Sequence, residues 1–173
     1  RRGAEVLAEI GGYGLACDAH HITRPHPTGA GSAAAMREAI RTSGITSDSV
    51  DFINAHGTAT DANDEIESRV IRDIFGAKRI PVTSIKSMLG HCMGSASALE
   101  GVSCVETIVS GIYPPTINLV EQDPNCDVDV IAGKPTKGPH DVVLNNALAF
   151  GGYDAVLLLA KPGVLPPPSE RPL

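Results

Sequence analysis

Tryptophan is absent from this sequence, and only three Phe and three Tyr are present. Stacking of successive bases on aromatic side chains is therefore not its design. No apolar run approaches the ~20 residues that a bilayer-spanning helix needs. Clusters of positive charge are also missing: 14 Lys+Arg stand against 20 Asp+Glu, a net charge of -6. A chain of that balance is not built to grip nucleic acid or an anionic membrane. The four cysteines, Cys17, Cys92, Cys104 and Cys126, form no CxxC and no short pairing. That disfavours structural zinc and a disulfide scaffold, and points to the reducing cytoplasm. The common phosphate-cradling patterns GxGxxG and GxxxxGK do not occur. The opening RRGAEVLAEIGGYG has neither an initiator Met nor the apolar core of a signal peptide. We read it, as an expectation, as the start of a fragment or of one piece of a split protein.

What is present is a globular composition. The 173 residues are 42% hydrophobic and 20% charged, with 18 Gly and 13 Pro. This is enough for one compact core or for one half of a larger enzyme. Residues 5–15 read as a strand interrupted by glycines, and 32–42 as an Ala-rich helix closed by Gly44. A short apolar strand is expected over 50–55. Residues 61–75 place Ile66, Val70, Ile71 and Ile74 at helical spacing. Another short strand is expected over 81–85. A helix rich in small residues follows over 95–110, with the composition of one buried on all sides. Extended runs separated by Gly and Pro then occupy the remainder, before a Pro-rich tail expected to pack poorly. This alternation gives an α/β domain whose sheet is covered by helices. We divide the chain into residues 1–162 and the tail 163–173.

Three motifs follow apolar strands, where α/β folds gather ligands. Asn54-Ala55-His56-Gly57-Thr58-Ala59-Thr60 places a histidine able to donate to a developing oxyanion or to accept a proton. Taken alone, His56 reads equally as the filler of a strand-to-helix turn. Lys86-Ser87-Met88-Leu89-Gly90-His91 precedes a run of small residues that favours burial. A buried lysine needs a carboxylate partner, and Asp64 and Glu67 are the candidates; an ordinary ion pair at a helix start is the plainer reading. Ala149-Phe150-Gly151-Gly152 reads in isolation as a hairpin turn. His20, His21, His26 and His140 lie in polar, turn-rich stretches and read as surface, with His20 and His21 possible at an entrance. The cysteines read as small hydrophobes.

In order, INAHGTATDANDEIE, VTSIKSMLGHCMGSASALEGV, PPTINLVEQDPNCDVDVI and NNALAFGGYDAVLLLAKP resemble the C-terminal half of a β-ketoacyl-acyl carrier protein synthase, a condensing enzyme of the thiolase-like superfamily. The resemblance covers nearly the whole chain. It implies half of a thiolase-like fold, with a mixed sheet inside the layered α-β-α-β-α arrangement of the full enzyme. It implies decarboxylative Claisen condensation of an acyl thioester with a malonyl thioester. His56 and His91 match the histidines that polarise the malonyl thioester carbonyl and stabilise the enolate. Lys86 matches the family's lysine, paired with a glutamate on the helix after HGTxT, where Glu67 stands. Thr58 and Thr60 match the threonines that bind the phosphopantetheine arm. Phe150 matches a gating phenylalanine, with Gly151 and Gly152 in its loop and at the oxyanion.

No metal or diffusible cofactor is implied, because phosphopantetheine arrives on the acyl carrier protein. The nucleophilic cysteine belongs to the family's N-terminal half, so that half is an implied partner. The acyl carrier protein and a homodimer or heterodimer mate are the others. A basic docking patch is expected on the other half or among Arg1, Arg2, Arg69, Arg72, Lys78 and Arg79, although Arg69 and Arg72 equally suit a solvated helix face. A non-catalytic chain-length-factor-like subunit is the alternative; retention of His56, His91 and Lys86 weighs against it. A degradative thiolase would carry a cysteine near Phe150, and none stands there. The sequence departs from the family's pattern at Asp61 (usually Pro), Asn63 (Gly), Ala149 (Gly) and Tyr153-Asp154 (Thr-Asn). These departures incline the reading toward a secondary-metabolite ketosynthase of type II style over housekeeping fatty acid synthesis.

Overall fold

A computed structural model of the protein describes residues 3–76 and 79–172. Strands are β1 (Glu9–Cys17), β2 (Phe52–Asn54), β3 (Pro81–Thr83), β4 (Ile112–Tyr113), β5 (Asp129–Val130), β6 (Thr136–Lys137), β7 (Val142–Ala149) and β8 (Tyr153–Ala160). Helices are α1 (Ala30–Ser43), α2 (Asp61–Phe75), α3 (Lys86–Leu89) and α4 (Ala96–Ser110). A six-stranded sheet has the order β1-β8-β7-β2-β3-β5, and β4 and β6 form a separate antiparallel pair. Strands β7, β2, β3 and β5 run parallel, while β8 and β1 add an antiparallel edge. The parallel strands therefore deliver their following loops to one rim of the sheet.

Side chains alternating along the strands separate two packed faces. On the first, Ile53, Val82, Leu144, Val156 and Leu158 meet Ala35, Met36 and Ala39 of α1 and Val70, Ile71 and Phe75 of α2. Glycine sets how close α1 comes: a Cβ at Gly12 or Gly14 of β1 would overlap the carbonyl oxygens of Ala39 or Ala35. On the second face, Phe52, Val143 and Leu159 meet Cys104 and Ile108 of α4 and Tyr113 of β4. The rings of Phe52 and Tyr113 stack at 4.5 Å, and the Tyr113 hydroxyl donates to the Pro139 carbonyl. Asp51 fixes the β2–β7 register by accepting from the amides of Asp141 (2.9 Å) and Val142 (3.0 Å).

Two sequence expectations are corrected here. Helix α4 is not buried on all sides: Leu99, Val102 and Val109 are exposed. Only one face of the helix reaches the sheet, and among the described residues nothing packs on the other. Neither is the Pro-rich tail loose. Leu165 enters the core, and the Arg171 guanidinium donates to the Pro166 and Gly11 carbonyls and pairs with Glu9. Of the cysteines, only Cys104 is a core residue; Cys17 is exposed, and Cys92 and Cys126 are half-buried. No described helix is long and apolar enough to cross a membrane.

Candidate active site

Strands β2 and β3 are parallel neighbours, with Ile53 opposite Val82 and Asn54 opposite Thr83. Their carboxyl ends present His56 and Lys86, and His91 follows the single short helix α3. Gly57, Thr58, Thr60, Lys86 and His91 share a cleft of about 840 Å³. The rings of His56 and His91 stand edge to face, 5.6 Å apart. His56 is 7% exposed, Lys86 9% and Glu100 1%, whereas His91 is exposed.

Lys86 does not pair with Glu67 or Asp64, and the expectation of Glu67 is corrected. Its ammonium donates to Glu100 of α4 and lies 3.3 Å from Nδ1 of His56. Glu67 is turned to the β2–α2 loop instead. Its two carboxylate oxygens accept from the amides of His56 (2.8 Å) and Gly57 (3.0 Å), and from Asn146 Nδ2 (3.0 Å). Burial pushes the Glu67 carboxyl up against those donors. Glu67 thus shapes the loop that carries His56, and Glu100 balances the buried charge of Lys86.

The tautomers of both histidines follow from these contacts. An ammonium only donates, so Nδ1 of His56 is an acceptor and Nε2 carries the proton. Burial, then the charge of Lys86, then His91, holds His56 down to about 3, so the ring is neutral. Nδ1 of His91 accepts from the Met93 amide at 3.2 Å, which again leaves the proton on Nε2. Both rings therefore offer an N–H, the arrangement that stabilises negative charge developing on an oxygen.

The loops around these rings are held in costly conformations. Ala59, Met93 and Asn118 have φ of 58°, 50° and 64°, each worth about 1–3 kcal/mol of strain. Ala59 and Asn118 line the cleft, and Met93 is the donor to His91. Thr58 and Thr60 share a hydrogen bond of 2.9 Å within it. Thr116 and Ser87 tie the 116–118 segment over β3, accepting from the amides of Ser84 (3.0 Å) and Ile117 (3.0 Å).

The β7–β8 turn does not contribute to the cleft lining. Phe150 is 65% exposed, and neither it nor Gly151 or Gly152 lines the cleft. Gly151 and Gly152 take φ of 85° and 77°, which only glycine adopts freely. Their amides donate to the carbonyls of Ile22 (2.8 Å) and Ala149 (3.1 Å). Neither is free for an oxyanion in this conformation, which corrects that part of the expectation. His20 and His21 do not line the cleft either. Arg72 and Arg79 both pair with Asp127, and Arg69 donates to the Pro27 carbonyl. Arg1, Arg2 and Lys78 lie outside the described residues. Sequence reasoning missed Glu100, Asn146 and Thr116. Glu100 left a signal: it is the one acid inside the apolar run ASALEGVSC.

Fold and site together define a thiolase-like ketosynthase region. The chain belongs to the β-ketoacyl synthase family, its residues 7–120 matching the model described as "Beta-ketoacyl synthase, C-terminal domain". Nodulation protein E of Rhizobium meliloti is 46% identical over 158 residues, covering 90% of this chain and 39% of that protein. The 3-oxoacyl-[acyl-carrier-protein] synthase 2 of Synechocystis sp. is 43% identical over 162 residues, 92% of this chain and 39% of the relative. Among solved structures, the ishigamide ketosynthase/chain length factor superposes with a TM-score of 0.89 at 45% identity, over 94% of this chain and 40% of that one. A β-ketoacyl synthase from Burkholderia phymatum gives 0.87 at 37% identity, over 92% and 39%. The chain thus spans 39% of the length of these curated relatives.

Proposed function

We propose that this chain supplies the carbonyl-polarising half of a decarboxylative condensing enzyme. The observation that carries the reading is the pair of Nε2–H donors on His56 and His91. Decarboxylation of a malonyl thioester moves an electron pair onto the thioester oxygen as an enolate. Two fixed N–H groups at that oxygen lower the barrier without a proton having to move. The low affinity of His56 for a second proton keeps it a neutral donor. Lys86 acts through His56 by fixing its tautomer, so it is a positioning residue. Thr58 and Thr60 face the cleft by which a phosphopantetheine arm would enter, and no further cofactor enters this reading.

The enolate needs an acyl electrophile, held as a thioester on a nucleophilic cysteine. Cys104 is buried and its thiol is pushed far up by burial, which suits packing and not attack. We assign the nucleophile to the N-terminal half of the ketosynthase. The exposed apolar faces support such a partner: Leu99, Val102 and Val109 on α4, and Tyr13, Leu15, Tyr153 and Leu157 on β1 and β8. Acyl carrier protein is the second partner, and Phe150 would gate the acyl site from its turn. The reading places the protein in the reducing cytoplasm, where a catalytic thiol persists.

The test is malonyl-thioester decarboxylation by the enzyme assembled with its cysteine-bearing half. His56→Ala and His91→Ala are each expected to lower the rate about 10²–10³-fold, the loss typical of one oxyanion donor, with unchanged circular dichroism. Normal decarboxylation in either variant sinks the mechanism. Cysteine labelling of the assembled enzyme separates the second reading, favoured by the ketosynthase/chain length factor pairing of one structural neighbour. A partner with no labelled cysteine would make this chain a tunnel-shaping subunit.

A further inference from the structure

Two aspartate carboxyls, Asp18 and Asp154, come together beside the first turn of α1. Asp154 is the second residue of β8 and is 3% exposed; Asp18 directly follows β1. A Cβ on Gly31, in the first turn of α1, would overlap both Asp154 Oδ2 and Asp18 Oδ1. The two oxygens lie 2.2 and 2.4 Å from that position, on the ground a side chain at residue 31 would take. Neither has a hydrogen-bond partner among the described residues.

Among the described residues no charged side chain around the pair balances it, and the N-terminal end of α1 offers only partial positive charge. Asp18 Oδ2 accepts from the His26 amide at 2.6 Å, which uses the backbone of that histidine and not its ring. From α2, the facing group is the Glu67 carboxyl, another acid, and its neighbour on β7 is the neutral Asn146. The first turn of α1 holds no acidic residue. Arg69 is engaged by the Pro27 carbonyl. Two carboxylates so placed, Asp154 buried and Asp18 half-buried, cannot both ionise cheaply, and one proton between them removes the repulsion.

We propose that Asp18 and Asp154 share a single proton, and that this bond latches the β7–β8 turn to the segment after β1. The O–H of one carboxyl donates to the other carboxylate; raising the pH releases that proton to solvent and leaves two like charges facing each other. The latch has two backbone companions: the Asp18 amide donates to Gly152 (2.7 Å) and the Gly151 amide to Ile22 (2.8 Å). Burial, then Asp18, then Glu67, pushes Asp154 up to about 7, so release falls near neutral pH. Any effect on acyl entry rests on the gating reading of Phe150; the shared proton does not.

Carboxyl-¹³C NMR of the unmodified protein labelled at aspartate, titrated from pH 4 to 9, tests the proposal without a variant. The Asp154 carboxyl is expected to titrate with a midpoint near 7. Across the same range, hydrogen exchange at the Asp18 and Gly151 amides is expected to rise about tenfold beyond its intrinsic pH dependence, as a local opening would produce. Asp154→Asn should abolish both changes, because an amide donates to Asp18 without a proton to lose. Absence of any aspartate titrating above pH 6, or survival of the exchange step in Asp154→Asn, overturns the latch. Loss of decarboxylation in His56→Ala bears on the proposed function alone, so the two ideas fail separately.

Discussion

A lysine beside a histidine ordinarily repels its proton, and at His56 that repulsion is useful. Burial first, and then the ammonium of Lys86, keeps a second proton off the ring, and the ammonium turns the first one toward Nε2. Glu100 makes the buried ammonium tolerable, and removing one partner of such a pair costs about 3–5 kcal/mol. Lys86→Met and Glu100→Gln should each lower stability by about that amount in urea unfolding, while Lys86→Met/Glu100→Leu recovers most of it. A double variant no more stable than the singles would refute this account of the pair. The histidines, Lys86 and the two threonines were legible in the sequence because each follows an apolar strand in a short polar motif. The partner of Lys86 was not. Glu67 lies in the helix that follows the His56 motif, and only the packing of α4 against the sheet brings Glu100 to the ammonium. Backbone strain at Ala59, Met93 and Asn118 was equally invisible, since alanine and methionine give no sign of a left-handed conformation.

Among the elements, α2 was legible to the residue, Asp61–Phe75, because its apolar positions repeat at helical spacing and Gly76 closes it. Helix α4 was placed correctly in the chain but misjudged in its surroundings: a run of small and apolar residues reads alike whether its far side meets protein or solvent. The glycines of β1 interrupted its strand pattern, and their cause lies in α1. Gly14→Ala forces a Cβ into the Ala35 carbonyl, and overpacking of this kind costs about 1–3 kcal/mol. The thermal midpoint should fall accordingly, while Gly94→Ala, where a Cβ meets open space, serves as the control. Equal midpoints for the two variants would contradict the packing of α1 on β1.

For the molecule as a whole, two buried groups give opposite pH responses. His56 is lowered from 6.5 to about 3, so its contribution to stability is full above pH 6.5 and is lost as pH falls toward 3. Asp154 is raised from 3.8 to about 7, so its contribution is full below pH 3.8 and is lost as pH rises through 7. Between about pH 4 and 6.5 the two oppose each other. Asp154→Asn should make stability climb more steeply with pH across that window, and His56→Asn should make it decline, in denaturant titrations at successive pH values. Slopes that do not separate in these directions would show that another group governs the profile. The neighbouring strands β2 and β3 carry a further consequence. Parallel strands repeat about every 4.8 Å, and the imidazoles rooted beyond their ends stand 5.6 Å apart. The strands bring the roots of the two segments together, and the loop after α3, which carries His91, sets the rest of the separation. A change in the loop after α3 therefore moves one imidazole against the other while the strand pair stays as it is.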